Sequence, residues 1–243
     1  MNIKLLVGKT IADVVDWLIK INYKLVPFIP NGRLLPLDLK RANIYPENIF
    51  DVGANIGQTA NYFLKNFPDA EIYSFEPVLS VYKELVANTA NTKIKCFNQA
   101  LGDEKTNSKI YKSETYNGVA SINGIGNKDL TTEEIIEITT GEDICAEYQL
   151  QSIDLLKIDT EGYELNVLKG FESMLKNKVK LIYAEVCFDS TNPCQTYIIT
   201  LLEYLSPYGF ILSGFYNPYR VGHNKLKLNH CDILFINTLL IDI

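Results

Sequence analysis

The chain has 243 residues, of which 47% are hydrophobic and 21% charged, and a net charge of −6. These are globular values, with enough apolar content for a sizeable core that needs no disulfide or metal staple, and the length suits one large α/β domain or two smaller ones. The acidic balance, with no extended Lys/Arg cluster, argues against a nucleic-acid partner. The five cysteines are scattered and contain no C-x-x-C pair, as expected of reduced thiols in a cytoplasmic protein.

In "MNIKLLVGKTIADVVDWLIKIN", Asp13 and Asp16 interrupt the apolar residues, so neither a secretory leader nor a transmembrane segment is expected. Val7, Ile11, Val14, Val15 and Leu18 recur at helical spacing. That predicts an amphipathic helix packed on the domain or on the second subunit of a homodimer. Lys4, Lys9 and Lys20 leave attachment to a membrane surface as the alternative. Pro27, Pro30, Pro36 and Pro46 then mark a connector. Residues 1–45 are therefore expected to be an extension, and 46–243 the domain.

From residue 47 apolar runs alternate with helical patterns. "NIFDVG", "EIYSFEP", "KIKCFNQAL", "SIDLLKID" and "VKLIYAEVCF" read as strands. "GQTANYFLKNF", "SVYKELVANTA", "ELNVLKGFESMLKN" and "NPCQTYIITLLEYLSPYG" read as the helices between and after them. Such alternation predicts a mostly parallel sheet with helices on both faces. The last two strands, "FILSGFY" and "CDILFIN", are joined without a helix and should pair antiparallel.

The stretch "IFDVGANIGQTANYF" carries the first functional signal. A strand ends on Asp51, and Gly53 and Gly57 allow a tight turn into a helix whose free N–H groups face a ligand. Glu76 ends the next strand in "YSFEP", where a carboxylate suits two vicinal ribose hydroxyls. Together the two strand ends describe a nucleoside pocket at the carboxyl edge of the sheet. The glycine spacing is not the G-x-G-x-x-G of dinucleotide-binding proteins, because Asn55 stands between the glycines. A polar Asn55 suits a ligand without pyrophosphate whose amino-acid end needs hydrogen bonds, such as S-adenosylmethionine (SAM).

The motifs "DVGANIGQTANYF", "YSFEP", "NQALGD", "LLKIDTEGYELNVLKG" and "DILFIN" resemble those of the FkbM family of SAM-dependent methyltransferases over residues 45–238. The resemblance implies the class I methyltransferase Rossmann-like fold, a seven-stranded sheet in the order 3-2-1-4-5-7-6 with strand 7 antiparallel. It also implies O-methylation of hydroxyls on sugars, glycans and polyketides, or of carboxylates. By the same resemblance, Asp51, Gly53, Asn55 and Gly57 surround the methionine moiety of SAM, Glu76 holds the ribose, and Gln99 contacts the adenine edge.

Chemistry is expected where the fourth strand ends, in "LLKIDTEGYE". A hydroxyl acceptor must be positioned and must lose its proton. Asp159 is the first candidate for base or acceptor-positioning group and Glu161 the second, although Glu161 and Glu164 also fit carboxylates favoured by a helix N-terminus. Glu185 interrupts the fifth strand near the same edge, where a carboxylate needs a partner or a function. With Asp159 and Glu161 it would suit a hard divalent ion such as Mg²⁺, a metal that is possible but not expected. The segment 216–230 reads as a loop over the pocket. There Tyr216 and Tyr219 are candidates for stacking on a sugar, Arg220 for gripping a phosphate, and His223 for relaying a proton. The Gly- and Asn-rich segment 104–140 reads as a second, mobile lid, with Ser121 as an acceptor contact. The alternative to an enzyme is a SAM- or nucleoside-binding module on the same fold. Nucleic-acid methylation is disfavoured, since "DTEGYE" stands in place of an N/D-P-P-Y/F motif.

Overall fold

The computed structural model describes residues 30–112, 120–122, 132–192 and 194–242. The predicted N-terminal amphipathic helix lies outside the described residues. The chain divides into two compact units, Met1–Tyr45 and Pro46–Ile243. In the first, the proline-rich connector contains a short helix, α1 (Leu35–Arg41). Pro36 opens it rather than breaking it, because the first helical turn needs no N–H donor. Asp38 accepts the Gly32 N–H at 2.6 Å.

The second unit holds, in chain order, β1 (Asn48–Val52), α2 (Gln58–Asn66), β2 (Glu71–Phe75), α3 (Leu79–Thr89), β3 (Lys95–Phe97), β4 (Ala100–Leu101), β5 (Thr106–Lys112), β6 (Ala120–Ser121) and β7 (Thr132–Thr139). It continues with α4 (Gly141–Glu147), β8 (Ile153–Ile158), α5 (Glu164–Lys169), α6 (Glu172–Leu175), β9 (Val179–Cys187), α7 (Ile198–Leu205), β10 (Phe210–Val221) and β11 (Lys227–Asn237). The main sheet runs β10-β11-β9-β8-β1-β2-β3. Numbered by chain order within that sheet, this is 3-2-1-4-5-7-6, the order expected of the class I methyltransferase fold. β11 is antiparallel to both β9 and β10, and the other neighbours are parallel.

The central strands are covered on both faces, so they read as unbroken apolar runs. All six residues of β8 are buried. Phe50 of β1 packs at 5.4 Å from the Phe75 ring and 5.8 Å from Phe171, joining sheet to helices. Asp154 is one of the polar exceptions, at the far edge: its Oδ2 accepts the Glu47 and Asn48 N–H groups, each at 2.9 Å, and anchors the start of β1.

Four expectations are corrected. The helix read through "ELNVLKGFESMLKN" is two, α5 and α6. It breaks at Gly170, where a Cβ would stand 2.0 Å from the Gly102 carbonyl oxygen. The last helix starts at Ile198 rather than at Asn192, because Asn192 closes a turn with Asp189 and Gln195. The segment 104–140 is not simply a loop. β5 and β7 pair antiparallel from Thr106↔Ile138 to Lys112↔Thr132, and with β4 and β6 they build a second, four-stranded sheet. Cross-strand pairs Lys109–Glu133 (2.8 Å) and Lys112–Glu134 (2.7 Å) support it. Likewise 216–230 is mostly a β-hairpin, since β10 and β11 stay paired out to Val221↔Lys227. Among the described residues, no helix is long and apolar enough to cross a membrane.

Candidate functional site

A cavity of about 210 Å³ opens at the carboxyl ends of β1, β2 and β8. Its floor is the turn after β1. Gly53 sits at φ +73°, and its α-carbon faces the end of β8 so closely that a Cβ would lie 1.8 Å from the Asp159 carbonyl oxygen. Asn55 follows at φ +48°, a left-handed conformation that asparagine tolerates better than most side chains. Its Oδ1 accepts the Ile56 N–H at 2.8 Å and holds the turn. Gly57 precedes α2 at φ +89°, but it packs on Leu85 and Thr89 and does not line the cavity.

Glu76 is buried at the mouth of β2 and lines the cavity. One carboxylate oxygen accepts the Asn55 N–H at 3.0 Å and the other the Val78 N–H at 2.9 Å. Burial pushes its pKa up to about 7, against the pull of those two N–H groups. The wall beside it is apolar: Phe75, Val78, Ala100, Leu101 and Ile110. The sequence reading missed this wall, because apolar residues carry no chemical signature. Gln99 is turned from it, its amide donating to Glu137 at 3.1 Å, while its neighbours Ala100 and Leu101 line the cavity.

Asp51 is fully buried and is not a lining residue. Its partner is Lys157, aligned with it across the β1–β8 ladder, with Nζ 2.9 Å from Oδ1. Burial works against both charges. At that distance the ion pair is the state we favour, and Asp51 and Asp159 together hold the Lys157 pKa above its ordinary value.

The cavity is also lined by three carboxylates, those of Asp159, Glu161 and Glu185. Asp159 is tied to β1 through its N–H to the Val52 carbonyl at 3.0 Å. Glu161 sits at φ +52° in a loop shaped by buried Glu164. Glu164 Oε1 accepts the Thr160 N–H at 2.8 Å and the Gly162 N–H at 3.2 Å, and Oε2 accepts the Thr196 hydroxyl. Burial, then Asp159 and Glu164, raises Glu161 to about 7. Burial, then Asp159 and Glu161, raises Glu185 to about 9. Among the described residues, no three His, Cys, Asp or Glu side chains are grouped to hold a metal ion, and this holds for Asp159, Glu161 and Glu185.

The raised Glu185 value has a consequence for stability. Unfolded, the group ionises near 4.5; folded, it does so near 9. The native state therefore holds the extra proton, and stability falls as pH rises through that window. Glu185→Gln is expected to raise the melting temperature at pH 8 and to leave it almost unchanged at pH 4.5, as read by scanning calorimetry.

The remaining candidates lie off the cavity wall. Ser121 is buried, and its hydroxyl donates to the Glu161 carbonyl at 2.6 Å, tying the small sheet to the acidic loop. Tyr216 is buried against the Tyr183 ring. Tyr219 is exposed and stacks on His230 with ring centroids 4.8 Å apart. Arg220 and His223 are exposed at the hairpin end. His230, not singled out in the sequence, leads back to the site: its Nδ1 lies 3.3 Å from Gln195 Nε2, which donates to Glu185 at 2.8 Å.

A family profile described as the methyltransferase FkbM domain matches residues 51–212. The chain is 28% identical over 174 residues to the AMB antimetabolite synthetase AmbE of Pseudomonas aeruginosa, covering 57% of this chain and 8% of that protein. It is 26% identical over 181 residues to Methyltransferase 1 of Beauveria bassiana, covering 65% and 72%. It is 29% identical over 163 residues to the methyltransferase sdnD of Sordaria araneosa, covering 52% and 62%. The chain thus spans under a tenth of the synthetase and roughly two thirds of the two methyltransferases. With a profile match over most of its length, and with Gly53, Asn55, Glu76 and Asp159 around one cavity, the chain belongs to the FkbM family of SAM-dependent methyltransferases.

Proposed function

We propose that this protein is an O-methyltransferase acting on a hydroxyl of a sugar, glycan or related natural product. The observation that carries the reading is a single cavity lined both by Glu76 with apolar residues and by Asp159, Glu161 and Glu185; we take the first set as the cofactor end and the second as the acceptor end. The first end fits SAM. Each Glu76 oxygen is fixed by one backbone N–H and keeps capacity to accept a ribose hydroxyl, and Val78, Ala100 and Leu101 offer flat apolar contact to an adenine. The Gly53–Asn55 turn brings backbone close to the amino-acid end. Bound SAM supplies a methyl group already activated on a sulfonium, so the protein's tasks are to align the acceptor and to take its proton.

Asp159 and Glu161 are the groups for those tasks. Glu161, with its pKa near neutral, suits a base at physiological pH. Glu185, protonated at that pH, is suited to donate a hydrogen bond to the acceptor. Asp159 and the ionised form of Glu161 disfavour a second carboxylate beside them, which favours a hydroxyl acceptor. The exposed Tyr219 ring, linked through His230 and Gln195 to Glu185, is the proposed platform for a sugar ring.

Calorimetric titration with SAM and S-adenosylhomocysteine (SAH) tests the cofactor end. Glu76→Ala is expected to abolish measurable binding. Ribose hydroxyls donate to the ionised carboxylate, whose pKa in the free protein is about 7. Affinity should therefore fall about tenfold from pH 8 to pH 6 as the carboxylate takes up its proton, and Glu76→Gln should bind weakly with that pH dependence gone. A wild-type protein that binds neither ligand would overturn the reading.

A further inference from the structure

We propose that Lys157 is a positioning residue that locks the cofactor turn after β1 to the Asp159 carboxylate at the end of β8. The inference rests on the reading of the cavity as a SAM site. Lys157 is 5% exposed and lies outside the cavity wall, so it acts only through its neighbours. Its ammonium reaches four groups. It donates to the Gly53 carbonyl at 2.8 Å and approaches the Val52 carbonyl at 3.4 Å. It stands 2.9 Å from Asp51 Oδ1 and 3.8 Å from Asp159 Oδ2.

Two of those partners, Val52 at the end of β1 and Gly53 in the turn after it, line the cavity, as does Asp159. The β1 and β8 backbones already touch through the Asp159 N–H and Val52 carbonyl and through the close approach of Gly53 to Asp159. Lys157 adds the side-chain fastening. It holds the Gly53 carbonyl by a hydrogen bond, in a turn whose N–H groups are themselves engaged: those of Gly53 and Ala54 donate to the Phe75 carbonyl and that of Asn55 to Glu76. Toward Asp159 Oδ2, at 3.8 Å, it acts by electrostatic attraction rather than by a hydrogen bond.

A fold has little need of an ammonium here. β8 is otherwise built of Ile, Leu and the edge anchor Asp154, and apolar replacements of buried ion pairs are often neutral or stabilising. If Lys157 served only as counter-ion to Asp51, removing both charges together would cost the site nothing. If Lys157 holds the turn, the double replacement rescues stability and leaves binding impaired.

The experiment compares wild type, Asp51→Asn, Lys157→Met and Asp51→Asn/Lys157→Met by thermal melting and by calorimetric titration with SAH. Lys157→Met, which strands a buried carboxylate, should melt lowest and is not relied on for binding. The double variant should melt close to the wild type yet bind SAH about tenfold more weakly, the order expected for loss of a charge-assisted hydrogen bond. Asp51→Asn keeps the Lys157–Gly53 bond and should therefore bind SAH more tightly than the double variant. A double variant that binds SAH like the wild type overturns the inference, as does an Asp51→Asn protein that binds as weakly as the double variant. Both results leave the methyltransferase reading intact, whereas absence of SAH binding by the wild type removes that reading and this inference with it.

Discussion

Glu161→Gln is expected to slow methyl transfer by about 10²- to 10⁴-fold, the usual contribution of a positioned general base, while SAH binding stays within about threefold of wild type. The amide keeps the size of the side chain but cannot accept a proton. The loop around it is shaped by Glu164, Ser121 and the backbone, not by the Glu161 carboxyl, so the substitution should leave the cavity intact. The pH profile adds a second readout. Burial raises the Glu161 pKa to about 7, so the basic form is scarce at pH 6 and dominant at pH 8. The single-turnover rate should rise with pH through that value in the wild type, and this limb should vanish in Glu161→Gln. Full activity in Glu161→Gln would shift the base to Asp159, where Asp159→Asn should then show the large loss.

The sheet was readable from the chain because its central strands are buried on both sides and separated by helices of regular period. "SIDLLKID" and "NIFDVG" have no other stable reading at their length. The second sheet was not readable for a matching reason. Of the seven residues in β5 only Ile110 is buried, and its pairing with β7 leans on charged cross-strand pairs such as Lys109–Glu133. Lysine and glutamate in a segment near Gly and Asn look like solvated loop. The hairpin failed in the same way. Pro218 and a positive φ at Asn217 mark a bulge within β10, and bulge residues resemble turn residues in sequence.

The site divides along similar lines. Gly53, Asn55, Glu76, Asp159, Glu161 and Glu185 were legible because each is polar or conformationally special at the carboxyl end of an apolar strand, and all of them line the cavity. Lys157 escaped notice although it follows directly on the same apolar run. Its meaning depends on register: only the alignment of β1 with β8 sets it opposite Asp51. Gln195 and His230 are legible only once β9 and β11 are paired with His230 opposite Cys187. Chain-local signals mark strand ends, while cross-strand partnerships need the assembled sheet.

Gly53→Ala is expected to destabilise the protein by about 3 kcal/mol or more, lowering the melting temperature by about 6–12 °C for a domain of this size. Two causes act together. The residue sits at φ +73°, where a Cβ is disfavoured, and the added carbon would lie 1.8 Å from the Asp159 carbonyl oxygen. That oxygen belongs to backbone at the end of a fully buried strand, so it cannot swing aside like the tip of a flexible side chain. β1 and β8 must separate at the point where the cofactor turn meets the acid. SAH affinity should therefore fall with stability, and Asp159 should be displaced even in molecules that remain folded. Asn55→Gly makes the contrasting case in the same turn. Glycine adopts φ +48° without strain, and the loss is the single Oδ1 bond to the Ile56 N–H. That change should cost less than about 1 kcal/mol. A Gly53→Ala protein that melts within about 2 °C of the wild type would show that the two strand ends are not in the close contact on which the geometry of the site depends.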